Sequence, residues 1–283
     1  MIIGVDLGAT QIRAGVYHSG TILKKRQAIL KNKVVLSKTI SQITNFISPL
    51  VTPDIKGIGI GVPSVVDIAT GTVYNTTNIS SWEKVELKKI LECEFNLPVH
   101  VNNDANCYAY GAYKFGLAEK YHTMVGITLG TGLGVGLIIN GKPFNGNNCG
   151  AGEVGLVPYL DKNYEAYCSS TFFETNHNTS GKLAYDETAF GNKKHIPVWE
   201  EFGDHLGQFI KLIVLAYDPE AISIGGSIAN AFDFFKNNMW EVLQDFTFPE
   251  SITRLKIEKL ENDDMALIGA AELLYEFEKI SEH

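Results

Sequence analysis

The stretch that decides the fold is residues 124–142, MVGITLGTGLGVGLIINGK, in which two apolar runs of β-strand character flank a glycine-rich turn, LGTG, at 129–132. Glycines let backbone N–H groups point together into a concave nest, and a threonine hydroxyl adds a donor, which together suit a phosphate group. The chain opens on the same design, because residues 1–17 read MIIGVDLGATQIRAGVY with GAT in the turn at 8–10. Two such loops predict two half-sites for the phosphates of one nucleotide. The alternative is a pair of tight β-hairpins in which glycine only supplies a positive φ.

Composition is typical of a globular protein and argues against a polyanionic partner. The length of 283 residues is enough for two domains of ordinary size. The hydrophobic content of 45% and the charged content of 20% are typical of a globular protein. The net charge of -8 argues against nucleic acid or a membrane surface as partner. The richest basic cluster, at 24–26 and continuing as Lys31 and Lys33, is interpreted as a solvated face, with a local anion site as the alternative.

The cysteines predict a reducing compartment. Cys93, Cys107, Cys149 and Cys168 form no CxxC pair, so neither a disulfide framework nor a zinc knuckle is expected. The N-terminus is not a basic and apolar leader, and no apolar run approaches about 18 residues. A cytoplasmic location is therefore expected.

Strand and helix patterns alternate after the first loop. Helical spacing of apolar residues predicts helices over 36–50, 85–95 and 102–115, with strands over 56–62 and 98–101 between them. This alternation predicts an α/β sheet domain.

A polar stretch after residue 116 predicts a domain boundary. An N-terminal lobe at 1–116 is expected to include the final helix, 265–283, and a second lobe to cover 117–264. The composition of 145–192 predicts a loop-rich region suited to ligand contacts, and a strand is expected near 252–257.

Asp6 stands at the end of the first strand, beside the first glycine turn. A carboxylate next to bound phosphates is tolerable chiefly when Mg²⁺ lies between them, so Asp6 is a candidate magnesium residue. The alternative is a strand-end acid that bonds the turn amides. A Walker-type loop is rejected, because the GxxxxGK match at 136–142 is followed by Pro143 and lies in a hairpin.

Residues 101–106, VNNDAN, join a predicted strand to a predicted helix. One Asp or Asn there is expected as the helix N-cap, which leaves further polar residues to explain. Asp104 can instead accept the proton of a substrate hydroxyl while Asn103 donates to a neighbouring hydroxyl. In phosphoryl transfer such a base mainly orients the nucleophile.

Three further features are weaker on their own. Glu153 and Glu174 lie in the loop-rich region, where isolated glutamates are usually solvated. The turn at 225–227 follows a buried strand and suits an adenosine, but it is equally a tight strand-to-helix connection.

Together these motifs resemble the ROK (repressor, open reading frame, kinase) family of sugar kinases, in the hexokinase, actin and Hsp70-like ATPase superfamily. The resemblance implies an α/β, two-domain, actin-like ATPase (ribonuclease H-like) fold. It also implies a kinase that phosphorylates a hexose or amino sugar at the 6-hydroxyl, with ATP and Mg²⁺ in the cleft. The motifs that carry it are DLGAT (6–10), GVPSVVD (61–67), NISSW (78–82), PVHVNNDAN (98–106), LGTGLGVGLIINGK (129–142), GAGEVG (150–155) and DPEAISIGGSI (218–228).

The resemblance also implies roles for individual residues. Asp104 would be the catalytic base, and Asp6 would hold Mg²⁺ through water. The sugar would be contacted by Ser64, Asn78, Asn103, Asp104, Glu153 and Glu174. ATP would be bound by Asp6, Gly8, Thr10, Gln11, Gly130, Thr131, Gly132, Gly225 and Gly226.

Several residues depart from the family pattern. GGTK becomes GATQ, with Gln11 in place of lysine, and the usual sugar- and zinc-binding histidine is Leu156. The zinc segment retains only Cys168, so no structural zinc is expected. Glu174 is aligned with the second sugar-contacting glutamate of that segment.

Two alternatives remain beside the kinase. One is a sugar- or nucleotide-binding regulator that has lost catalysis, motivated by Gln11 and Leu156. The other is an enzyme of the same fold acting on a non-sugar alcohol such as pantothenate. A DNA-binding repressor is not expected, because the chain begins at the first phosphate strand without a helix-turn-helix extension. A homo-oligomer, a dimer, is expected from the relatives.

Overall fold

The computed structural model describes residues 1–76, 78–117, 120–147 and 150–278. The strands are β1 (Ile2–Leu7), β2 (Gln11–His18), β3 (Thr21–Ile29), β4 (Ile58–Val62), β5 (Val65–Asp67), β6 (Thr72–Tyr74), β7 (Lys84–Glu86), β8 (Val99–Asn103), β9 (Met124–Leu129), β10 (Leu133–Ile139), β11 (Lys142–Pro143), β12 (Pro158–Tyr159), β13 (Lys162–Asn163), β14 (Ala221–Gly225) and β15 (Lys256–Lys259). The α-helices are α1 (Leu36–Ile47), α2 (Leu87–Phe95), α3 (Asp104–Ala112), α4 (Tyr164–Tyr167), α5 (Ser170–His177), α6 (Gly181–Ala189), α7 (Ile196–Tyr217), α8 (Phe232–Leu243), α9 (Pro249–Arg254) and α10 (Met265–Glu278).

The chain divides into two compact units. The first contains Met1–Lys120, Gly136–Ala151 and Asn262–His283, and the second contains Tyr121–Val135 and Gly152–Glu261.

The first unit is built on a five-stranded sheet in the order β3-β2-β1-β4-β8. β1, β2 and β3 pair antiparallel, whereas β4 pairs parallel with both β1 and β8. Side chains alternate across a strand, so Ile3 and Val5 pack with Ile43 of α1, while Ile2 packs with Ile268 of α10. Helices therefore cover both faces of this sheet.

The second sheet has the order β11-β10-β9-β14-β15. β14 is its central parallel strand, because it pairs parallel with both β9 and β15. Each sheet thus carries a glycine-turn hairpin, β1–β2 or β9–β10, next to a strand that arrives by a crossover. The turns of these two hairpins are the two glycine-rich loops identified in the sequence. The predicted mixed α/β class is confirmed.

Aromatic side chains pack together in the second unit. The long helix α7 packs on α8. Phe202 is fully buried and contacts the rings of Phe173, Trp199 and Phe235. No helix in the described ranges is both long and apolar enough to cross a bilayer.

Three sequence expectations differ from the structure. The loop-rich region 145–192 contains α4, α5 and α6, and the strand expected at 252–257 begins only at Lys256, after α9. Residues 136–151 group with the first unit rather than the second lobe, in part because Asn145 accepts a hydrogen bond from Asn106 at 3.0 Å. The final helix ends at Glu278, and its predicted continuation to 283 lies outside the described residues, as does Cys149.

Candidate functional site

The first glycine turn, residues 8–11, is a closed turn between β1 and β2. The Gly8 N–H donates to the Gln11 carbonyl at 2.9 Å, and the Leu30 N–H donates to the Thr10 carbonyl at 3.0 Å. Thr10 and Gln11 are exposed, so their side chains are accessible to a ligand. We call residues 8–11 the first loop.

Asp6 faces Arg13 directly across β1 and β2. The guanidinium donates to Asp6 Oδ2 from Nη2 at 2.6 Å and from Nε at 3.0 Å. Among the described residues Asp6 bonds this cation and no turn amide, so the strand-end alternative is not what the structure has. Both bonds end on Oδ2. A carboxylate has two acceptor oxygens, so Oδ1 is suited to a water of a hydrated Mg²⁺.

Lys33 also lies at the first loop. Its Nζ donates to the carbonyl of Ala9, and the side chain is half-buried. The sequence favours a solvated face for this lysine, with a local anion site as the alternative. It gives no signal for the contact with Ala9, because the two residues are brought together by the pairing of β2 with β3 and by the Leu30 N–H bond to the Thr10 carbonyl.

In the polar segment at the start of α3, Asn103 and Asp104 have different positions and contacts. Asn103 is the N-cap: its Oδ1 accepts from the N–H of Ala105 at 2.9 Å and of Asn106 at 3.2 Å, and its Nδ2 donates to the Ser64 carbonyl at 3.3 Å. Asp104 follows it half-buried in the first turn, and its Oδ1 accepts from the Ala105 N–H at 2.9 Å. A helix N-terminus is a favourable position for an anion.

The remaining asparagines are structural. Asn102 is fully buried, and its Oδ1 accepts from the Asn103 N–H at 2.8 Å and from Asn106 Nδ2 at 3.1 Å. Asn106 also donates to Asn145. These bonds account for the polar residues that a single N-cap could not explain, and they fix the backbone on which Asp104 is mounted.

The structure places Ser64 with Asn103 and Asp104, whereas Asn78 lies apart. The Ser64 hydroxyl donates to the Tyr74 carbonyl, and its backbone carbonyl receives the Asn103 amide. Asn78 is exposed, and no contact among the described residues ties it to the other three.

In the second unit, residues 129–132 form what we call the second loop. The Gly130 N–H donates to the Gly132 carbonyl at 3.0 Å, and the Ser170 N–H at the start of α5 donates to the Gly130 carbonyl at 2.8 Å. Gly226 lies on the same loop, since a β-carbon there would stand 2.3 Å from the Leu129 carbonyl oxygen. The structure thus brings Gly130, Thr131 and Gly132 together with the turn of Gly225 and Gly226.

Glu165, for which the sequence carries no signal, bonds the backbone directly after the second loop and interacts electrostatically with Glu153. Its Oε2 accepts from the Leu133 N–H at 3.0 Å and lies where a side chain on Gly132 would begin. Desolvation, and secondarily the Glu165 carboxylate, raises the pKa of Glu153.

Glu153 and Glu174 are both exposed, but Glu174 lies on α5, and none of the described contacts brings it to Glu153. The structure therefore favours Glu165 over Glu174 as the partner of Glu153. Leu156 ends the 3-10 turn that Glu153 begins, and its side chain is 57% exposed. No group of three or more His, Cys, Asp or Glu side chains in the described ranges is arranged to hold a metal ion.

Comparison with known proteins agrees with this arrangement. The model of the ROK family matches residues 2–276. A glucokinase of Halalkalibacterium halodurans is 28% identical over 99% of this chain and 96% of its own. A xylose repressor of Caldicellulosiruptor bescii is 26% identical over 94% of this chain and 76% of the repressor.

Among solved structures, a ROK family glucokinase from Streptomyces griseus in complex with glucose and AMPPNP has a TM-score of 0.85 and 25% sequence identity. The match covers 96% of this chain and 98% of that one. The predicted actin-like ATPase fold is confirmed by this likeness.

Proposed function

The chain belongs to the ROK family, as its motifs predicted, and we propose that it is an ATP-dependent kinase that phosphorylates the 6-hydroxyl of a hexose or amino sugar. The observation that carries the proposal is the state of Asp104. Asn103 caps the helix, and Asp104 is held beside it in the first turn, where its Oδ1 accepts from the Ala105 N–H at 2.9 Å. A carboxylate has about four acceptor sites, so a carboxylate fixed in this way can also accept from a substrate hydroxyl. The similarity to glucokinases supports the substrate class.

Asp104 would accept the proton of the attacking sugar hydroxyl and hold its oxygen in line with the γ-phosphorus. The amide of Asn103 has one N–H on the Ser64 carbonyl and a second available for a neighbouring hydroxyl. Because the transition state of phosphoryl transfer is loose, this orientation matters more than the basicity of the carboxylate.

The two loops would bind the phosphates of ATP through backbone amides and the hydroxyls of Thr10 and Thr131. Gly225 and Gly226 would face the adenosine. Asp6 would hold Mg²⁺ through water, and the metal, when bound with the nucleotide, supplies positive charge for the transferred group. The Arg13 pair keeps the Asp6 side chain in one orientation.

Glu153 and Glu165 would accept hydrogen bonds from further sugar hydroxyls. Desolvation first, and the nearby Glu165 carboxylate second, disfavour the charged form of Glu153 and raise its pKa. Hydroxyl donors from a sugar would relieve that cost, so binding energy is available at this pair. With Leu156 in place of histidine, one polar contact is replaced by an apolar one.

A non-catalytic regulator is the second candidate, and the similarity to a xylose repressor favours it. Such a protein would bind the same ligands without consuming ATP. The retained Asp104 argues for the enzyme, since a residue that orients the attacking hydroxyl is needed for transfer and not for binding alone.

The test is ATP consumption over a panel of hexoses, amino sugars and pantothenate, with Asp104→Asn as the variant. We expect a loss of turnover of about 10²- to 10⁴-fold, the range typical of a general base, with sugar binding in calorimetry retained. Asp54→Asn, which makes the same change at an exposed position of the first unit, should behave as wild type. Equal turnover by Asp104→Asn would refute the role of the base, and ligand binding without turnover on any acceptor would favour the regulator.

A further inference from the structure

We propose that Lys33 is a phosphate-binding cation of the first loop, contacting the terminal phosphates of the bound nucleotide. The inference rests on the proposed function in assuming that a nucleotide binds at this loop. It assigns a role to a residue that neither the motifs of the chain nor its glycine turns identify.

The charges of the first loop motivate the proposal. Asp6 and Arg13 form an ion pair, so together they add no net charge, and Gln11 is neutral. A nucleoside triphosphate carries several negative charges. Neutral amides and hydroxyls bind it more weakly than they do together with a cation, because charge-assisted hydrogen bonds are stronger. The loop needs positive charge from outside its own residues.

Lys33 is placed to supply it. Its ammonium donates one N–H to the Ala9 carbonyl within the loop itself. An ammonium has three donors, so two remain for an anion at the same position. The Leu30 N–H bond to the Thr10 carbonyl fastens the chain just before Lys33 to the same turn.

The backbone at Lys33 is anchored, as a binding residue requires. The Lys33 carbonyl accepts from the Ser81 N–H at 3.0 Å and the Ser80 hydroxyl at 3.3 Å. On the other side Asn32 donates from its N–H to Gln42 at 3.2 Å, and its carbonyl accepts from the Thr39 hydroxyl. Holding the backbone lowers the conformational entropy that a long side chain loses on binding.

The segment at 78–82 thereby acquires a second role. The resemblance assigns it to the sugar through Asn78, whereas its Ser80 and Ser81 hold Lys33. Lys31 provides the contrast, because it lies two residues away with an exposed side chain.

The experiment is calorimetric titration of the full chain with ATP in the presence of Mg²⁺, and separately with adenosine. The variants are Lys33→Ala, Lys33→Arg and the matched control Lys31→Ala. We expect Lys33→Ala to weaken ATP binding about tenfold to a hundredfold, as for loss of a charge-assisted hydrogen bond. Adenosine binding should change by less than about twofold, because adenosine lacks the phosphates that Lys33 would contact. Lys31→Ala should match wild type, and Lys33→Arg should retain most of the affinity.

Two results would overturn the inference. One is unchanged ATP affinity in Lys33→Ala. The other is an equal loss for ATP and adenosine, which would make Lys33 a structural support of the turn rather than a phosphate ligand. If the wild type binds ATP in a Lys33-dependent way but phosphorylates no acceptor, the kinase proposal fails and this inference stands. A wild type that binds no nucleotide would refute both.

Discussion

Replacing Gly226 with alanine should destabilise the protein and weaken ATP binding together, because this residue lies against the backbone of the second loop. Gly226 has φ 88° and ψ 171°, a backbone conformation that residues other than glycine rarely adopt. A β-carbon there would stand 2.3 Å from the Leu129 carbonyl oxygen and 2.7 Å from its nitrogen. Both neighbouring atoms are backbone, so neither can rotate away.

The expected loss in the free energy of unfolding has two parts. Backbone strain of this kind costs about 1–3 kcal/mol, and overpacking against atoms that cannot move costs about 1–3 kcal/mol more. We therefore expect the free energy of unfolding to fall by about 2–6 kcal/mol. Whatever part is relieved by a shift of Leu129 displaces the amides of the second loop, and then appears as lower ATP affinity.

Gly191 provides a matched control. It also has a positive φ, 89°, but a β-carbon there meets nothing within 4 Å. Gly191→Ala should cost only the conformational strain, about 1–2 kcal/mol, and leave ATP binding unchanged. Urea denaturation and ATP titration of both variants measure the two quantities. A Gly226→Ala protein no less stable than Gly191→Ala, with wild-type ATP affinity, would refute the close approach of this turn to the loop.

Two further predictions concern the predicted sugar side. The raised pKa of Glu153 means that the folded state holds its proton more tightly than the unfolded chain, so this contribution to stability is present below the ordinary value of 4.5 and is lost as the pH rises through the raised value. Glu153→Gln should therefore melt at a higher temperature than wild type at neutral pH, with the difference shrinking in acid; an equal melting temperature at neutral pH would contradict it. Asn103→Ala should lose about 1 kcal/mol of stability with its N-cap, whereas Asn103→Asp keeps the capping oxygen and most of the stability in urea denaturation; equal losses would exclude capping.

The elements that carry the site were largely predictable, because their signals are local. Both glycine turns join strands as expected, and the polar segment at 101–106 does connect a strand to a helix. The division of labour within that segment was not predictable. Asn103 and Asp104 are both acceptable N-caps, and only the length of β8, which runs to Asn103, decides which one caps.

The region 145–192 was misread for a physical reason. Its Asn and Ser residues are typical of loops, but in the structure several of them are N-caps of short helices. Asn163 caps α4, Ser169 caps α5 and Ser180 caps α6, each accepting a backbone N–H with its side chain. Inside a helix the side-chain oxygen of Asn or Ser competes with the backbone hydrogen bonds. At the helix N-terminus the same oxygen accepts from an otherwise unpaired N–H and stabilises the start of the helix.

The start of α4 also explains why the sequence carries no signal for Glu165, whereas Glu174 was named from its alignment with the family's second glutamate. Once Asn163 caps α4, Glu165 is fixed in the first turn of that helix, and its carboxylate reaches the Leu133 N–H. Glu174 belongs to α5, whose own start is tied to the second loop through the Ser170 N–H. Because Glu165 bonds the Leu133 N–H directly after the second loop and interacts electrostatically with Glu153, we expect a change at the proposed sugar contacts of this unit to alter its proposed phosphate-binding amides as well.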